Sequence, residues 1–175
     1  TNETSQLRIE DIVKKENVWM ISIDETGGKR VKTTSSIRKV PVHPTLISLG
    51  FIDYVKIIKS KGFDRVFPEL TKQRDGYSQK ISQHYNEKFL PSIGIWEKQV
   101  KVLYSTRHTF INRCYNKGVD RDILKSIVGH EPDFTMDVYG GNPFTPKQLY
   151  NEISKVSYSK IRWNRLKVDW KKIIG

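Results

Sequence analysis

The stretch VLYSTRHTFINRCYNKGVDRDILKSIVGHEPDFTMDVYGGN, residues 102–142, decides the reading of this chain. Ser105 is placed to cap a helix, because its hydroxyl can accept a hydrogen bond from a first-turn N–H. Phe110, Ile111, Cys114 and Tyr115 then recur at helical spacing as an inward face, and Gly118 ends the run. Asp120 caps a second helix whose buried face is Ile123, Leu124, Ile127 and Val128. Gly129 ends that helix directly before His130, and a short helix from Thr135 is expected to carry Tyr139. Two capped helices with a histidine and a tyrosine just beyond them predict a helical core that presents polar chemistry at one end.

Working outward, residues 145–156 predict another helix with Leu149 and Ile153 inward. Upstream, residues 4–13 place Leu7, Ile9 and Ile12 among polar neighbours, as the end of a helix leading into a turn. VWMISID, residues 18–24, alternates Trp19, Ile21 and Ile23 on one side like a strand. ETGGKRVKT followed by SSIRKVPVH, residues 25–33 and 35–43, reads as a hairpin around a small polar turn. After Pro44 the apolar residues Leu46, Leu49, Ile52, Val55 and Ile58 form one helical stripe that Gly62 closes. Residues 78–90 carry Ile81, Tyr85 and Phe89 four apart and predict one more helix. The expected fold is mainly α with a small three-stranded antiparallel β-sheet near its start, occupying residues 1–154.

Residues 155–175 differ in charge: seven lysines and arginines stand against one acid, a net +6. Trp163, Leu166, Trp170, Ile173 and Ile174 are interleaved at spacings of three and four, which describes a basic amphipathic C-terminal arm or helix. Such an element docks either on its own domain or on a neighbouring subunit.

The whole chain has 31 Lys and Arg against 19 Asp and Glu, a formal charge of +12, so its surface attracts polyanions and nucleic acid is the favoured partner. Its 37% hydrophobic and 11% aromatic content is too high for a disordered basic tail. No apolar run approaches the roughly 18 residues of a membrane span, so no membrane partner is expected. The lone Cys114 excludes an intrachain disulfide scaffold and fits the cytoplasm. The opening TNETSQLRIEDI lacks a charged-then-apolar leader and reads as an excised piece.

Phosphate-cradling glycine loops, zinc-ligand spacings and the GxSxG elbow are absent from the sequence, and His43, His84, His108 and His130 sit in unlike contexts, so no metal or cofactor is expected. Side chains of the kinds that metal-free DNA strand cutting needs are present in the chain. That chemistry requires a nucleophile, positive charge for the phosphate in its transition state, and an acid for the leaving sugar oxygen. An arginine such as Arg107 matches phosphate with a planar, permanently charged fork. Its place in the first turn of a helix is unfavourable to the helix dipole, which argues for a functional reason. A tyrosine with an ordinary pKa of about 10 needs positive neighbours or a base, and His130 can serve as either donor or acceptor.

In YSTRHT at residues 104–109, the Gly129–His130 pair, and Tyr139 nine positions past His130, the chain resembles the tyrosine recombinases, the integrases of phages and genomic islands. That family's signature runs HxxRHT, a helix pair, GH and then the tyrosine. QLRIEDI at residues 6–12 is similar to the segment after the family's first catalytic arginine, and VKTTSSIRKVPVHP at residues 31–44 to the hairpin bearing its catalytic lysine. The resemblance covers nearly the whole chain in the right order.

It implies the tyrosine recombinase catalytic-domain fold and a site-specific DNA recombinase that cleaves and rejoins DNA through a 3′-phosphotyrosine. Tyr139 would be the nucleophile, Arg107 and His130 the phosphate-binding and proton-handling groups, and Lys32 the general acid, with Lys29 as its rival. Tyr104 occupies the signature's histidine position, where it can donate a hydrogen bond to phosphate but cannot act as imidazole does. His108 is expected to be a supporting or core histidine. With Glu3 as the acid that follows the first arginine by three, that arginine would fall immediately before Thr1. The piece as it stands is therefore expected to bind DNA weakly and cut it poorly. The implied partners are double-stranded DNA attachment sites and, in the full-length protein, a homotetramer on DNA; the isolated domain would be monomeric, in a bacterial cytoplasm or nucleoid. A type IB topoisomerase-like activity, or a DNA-binding module that kept the fold and lost catalysis, are the alternatives.

Overall fold

The computed structural model describes residues 2–33, 36–97, 100–130 and 143–174. A short helix α1 (Asn2–Ser5) leads through a 3₁₀ turn at Ile9–Asp11 into β1 (Ile12–Lys15). A tight turn follows in which Glu16 and Asn17 both take left-handed backbone angles, φ 49° and 63°, and β2 (Val18–Ile23) returns alongside. This is the primed type of turn that matches the twist of a two-residue hairpin. The third strand, β3 (Arg38–Pro41), pairs antiparallel on the other side of β2, in the order β1-β2-β3.

The three-stranded antiparallel sheet matches expectation, and so do the strands within residues 18–24 and 35–43, but the remaining strand is a different one. Residues 25–33 form no strand; they hold a 3₁₀ turn at Thr26–Gly28 inside a long connection. The missing strand is β1, which pairs Ile12 with Ile21 and Val13 with Met20.

Beyond the sheet, α2 (Pro44–Ser48) opens with the His43 ring as its cap: Nδ1 accepts from Thr45 N–H at 3.1 Å. That bond leaves the proton on Nε2, which donates to the Val156 carbonyl at 2.9 Å. The stripe expected to be one helix is broken at Gly50, φ 90°, where α2 gives way to α3 (Phe51–Ser60). A side chain at Gly50 would meet the Trp170 indole 3.2 Å away, so the break also makes room for the C-terminal segment.

The helix α4 (Gln79–His84) continues through a π-helical turn, Tyr85–Phe89, into α5 (Leu90–Ser92). Ile81 and Phe89 stay exposed there, so the helix forms without burying its stripe. Next come α6 (Ser105–Asn116), α7 (Arg121–Val128) and α8 (Pro146–Ser154). Ser105 is the first residue of α6 rather than its cap: Tyr104 holds the cap position, and the Ser105 hydroxyl ties the preceding turn, accepting from Val102 N–H and donating to the Val100 carbonyl. Tyr115 points to solvent, not inward. In α7 the expected cap is found, with Asp120 accepting from the N–H groups of Asp122 and Ile123. In α8, Thr145 and Gln148 form a reciprocal capping box.

Alternate residues of β2 enter different clusters, which is how one small sheet joins the helices. Val18 and Met20 pack with Ile123 and Ile127 of α7 and Leu149 and Ile153 of α8. Trp19 and Ile21 pack against a cluster of Leu7, Ile52, Val55, Ile58 and Val66. Cys114, Val119, Leu124, Val128 and Val156 bind α6 to α7.

The C-terminal residues do not form one amphipathic helix. A 3₁₀ turn at Trp163–Leu166 precedes α9 (Trp170–Ile174), and Trp170 lies on Tyr54 of α3 with ring centroids 4.9 Å apart. The arm thus docks on its own domain through Trp170 and Ile174, while Leu166 and Ile173 remain exposed. Among the described residues no helix is long and apolar enough to cross a membrane.

Candidate functional site

The end of α7 gathers the candidate groups. Gly129 closes the helix with φ 70°, its N–H donating to the Lys125 carbonyl at 2.9 Å, and the His130 N–H donates to the same oxygen at 3.1 Å. This glycine-led turn sets the direction in which His130 leaves the helix. Arg107, in the first turn of α6, reaches across and its Nη2 donates to the Val128 carbonyl at 2.7 Å. The unfavourable position of Arg107 in its own helix is thereby offset, because its charge sits at the negative end of the next one. Among the described residues this is the one hydrogen bond the Arg107 side chain makes, and the guanidinium has further N–H groups to offer.

The neighbourhood is strongly positive. Burial, and then the charges of Arg107, Arg38 and Lys125, hold the His130 imidazole below its ordinary pKa of 6.5. That direction favours the uncharged ring, the form in which an imidazole can accept a proton, although the His130 side chain itself is exposed. A cleft of about 250 Å³ runs between the sheet and α6 and α7, lined by Glu3, Ile23, Arg38, Val40, Arg107 and Phe110 among others. Its apolar walls strengthen any charge interaction made at its edge.

Sequence reasoning missed Arg38. This side chain is 9% exposed and forms an ion pair with Glu3 at 2.8 Å. The signal was present in the strand alternation, which places Arg38 on the same side as the packed Val40 and opposite the exposed Lys39.

The two lysine candidates have unlike surroundings. Lys29 is buried, its ammonium paired with Asp11 and, at 2.8 Å, with Asp24. Burial alone would pull its pKa down, but the hydrogen bonds and charges of the two aspartates outweigh that and leave it raised. Lys29 is committed to this buried triad, whereas Lys32 is exposed in the connection before β3. Tyr104 is 57% exposed, with its ring edge-on to His108 at 5.6 Å. His108 itself is exposed, so it is not a core histidine. Tyr139 and the short helix expected from Thr135 lie outside the described residues.

The structure therefore brings Arg107, His130 and Arg38 to one end of α7, with Glu3 beside them. Comparison of the chain with protein-family models, with curated proteins and with solved structures finds no match.

Proposed function

We propose that this chain is the catalytic domain of a site-specific DNA recombinase of the tyrosine type, with that family's catalytic fold, acting on double-stranded DNA as a homotetramer. The observation that carries the reading is the meeting of Arg107 and His130 at the end of α7, in a sequence where Tyr139 follows His130 by nine. A guanidinium beside an uncharged imidazole is what a phosphodiester and an attacking phenol require together.

In the first step the Tyr139 hydroxyl oxygen bonds to the scissile phosphorus and the bond to the 5′-oxygen breaks. His130 takes the phenolic proton, Arg107 holds the non-bridging oxygens, and Lys32 protonates the departing 5′-oxygen. The product is a 3′-phosphotyrosine and a free 5′-hydroxyl. Attack by a 5′-hydroxyl from another strand reverses each transfer and rejoins the DNA. Every proton and bond is accounted for by these four side chains. The commitment of Lys29 to Asp11 and Asp24 supports Lys32 as the acid.

The test uses the full-length protein and a pool of nicked duplexes of randomised sequence, in which loss of a short 5′ fragment traps the covalent intermediate. The wild-type protein is expected to give a denaturant-resistant protein–DNA adduct, and Tyr139→Phe none. Binding without an adduct in the wild type would favour a DNA-binding module that lost catalysis. Relaxation of supercoiled plasmid with no site preference would favour a topoisomerase.

A further inference from the structure

Arg38 enters the site from β3, opposite Ile23 in the register of the sheet. Its guanidinium joins three separate parts of the chain. Nε donates to the Ile127 carbonyl at 2.8 Å, near the end of α7. Nη1 donates to the Ser36 carbonyl at 2.6 Å and to Glu3 Oε1 at 3.2 Å, and Nη2 donates to Glu3 Oε2 at 2.8 Å. Gly129 lies directly beneath: a Cβ there would come within 2.8 Å of Nη1. The next carbonyl of α7, that of Val128, is the one held by Arg107.

We propose that Arg38 is the positioning residue of this site, clamping the last turn of α7 to Glu3 and β3 and thereby fixing where His130 and Arg107 stand. This deepens the recombinase reading and rests on it. Two consecutive carbonyls at the end of one helix are held by two arginines from different elements, and His130 follows within three residues of both. A planar fork with five donors can bridge a carboxylate and a carbonyl at once, whereas a lysine ammonium offers its donors at a single point. The glycine before His130 has two reasons to be one: its positive φ and the guanidinium pressed against it. Among the described residues, the charged groups facing His130 are Arg107 from α6, Arg38 from β3 and Lys125 from α7, with Glu3 of α1 bound to Arg38. Without the clamp the carbonyl of Ile127 and the carboxylate of Glu3 lose their partner, and the turn carrying His130 loses its anchor. DNA binding, which draws on many surface charges, then outlasts the chemical step, which depends on alignment.

The experiment compares Arg38→Lys and Arg38→Gln with wild type in the full-length protein, by two readouts. The first is the NMR spectrum of the His130 ring, titrated without DNA. The ring signals are expected to shift in both variants, while those of His43, His84 and His108 stay in place. The titration midpoint should move up in Arg38→Gln, which removes a positive charge, and hold near wild type in Arg38→Lys, which keeps it. The second readout is covalent trapping on nicked DNA, where Arg38→Lys should slow the rate by about 10- to 100-fold with little change in the DNA concentration giving half-saturation. If Arg38→Gln does not fold, Glu3→Gln must shift the same His130 signals. Unchanged His130 signals in these variants would overturn the proposal, and so would a loss of DNA binding as large as the loss of rate, which would make Arg38 a phosphate contact. If the wild-type protein traps no DNA, the recombinase reading falls while the His130 spectra still judge Arg38.

Discussion

At Lys29, one ammonium meets two carboxylates in one corner, with the Lys29 and Asp11 side chains each 3% exposed and Asp24 partly open to water at 27%. Removing one member strands the others. Lys29→Ala is expected to cost about 3–5 kcal/mol in a urea titration, the usual result of leaving buried charge unpaired. Lys32→Ala, at an exposed site, should change stability by less than about 0.5 kcal/mol. The pH dependence of the triad follows from two opposite shifts. Burial tends to raise the Asp24 pKa, but bonds from Lys29 and Thr26 hold it below its ordinary 3.8; its contribution is present above that value and lost as pH falls through the lowered one. The Lys29 contribution is present below its ordinary 10.5 and lost as pH rises through the raised value. The corner is thus expected to support the fold throughout the neutral range and to fail at both extremes. Cys114 gives a separate check: burial pushes its thiol up to about 11, so it should resist alkylation at pH 8 until the protein unfolds.

Among the elements, α7 was the most legible in the sequence, because all its signals are local: an Asp120 cap, a four-residue apolar face and a glycine stop. Asp120→Ala should lower stability by about 1 kcal/mol, read from thermal or denaturant unfolding. Gly129→Ala should cost more than the loss of glycine freedom alone, since its Cβ must displace the Arg38 guanidinium as well. Other elements were hidden because their causes are distant. The strand β1 has four residues, two of them exposed lysines, and its turn uses Glu16 and Asn17 rather than glycine, so neither pattern nor turn chemistry announced it. The break between α2 and α3 answers to Trp170, far along the chain. The resemblance pointed to Arg107 and His130 as candidates, but the clamp at Arg38 depends on Glu3 and Ile127, which no local pattern links to it.

For the whole molecule, half of the +12 charge lies in a C-terminal segment of net +6 that docks in cis, while Arg38, Arg107 and Lys125 gather at the end of α7. Trp170→Ala should cost roughly 2 kcal/mol, below the value for a fully buried ring, and should expose residues 155–174 to protease before the rest of the domain unfolds. DNA affinity of the full-length protein should fall steeply with salt, linearly on a double-logarithmic plot, as counterions released from phosphates dictate. The central claim is that Tyr139 reacts with DNA under the control of Arg107 and His130. Its most direct test is mass spectrometry of full-length protein trapped on a nicked duplex and digested with protease and nuclease. A 3′-linked nucleotide on the peptide bearing Tyr139, absent from Arg107→Ala, is the predicted result. A nucleotide on any other residue, or equal trapping by Tyr139→Phe, would contradict it.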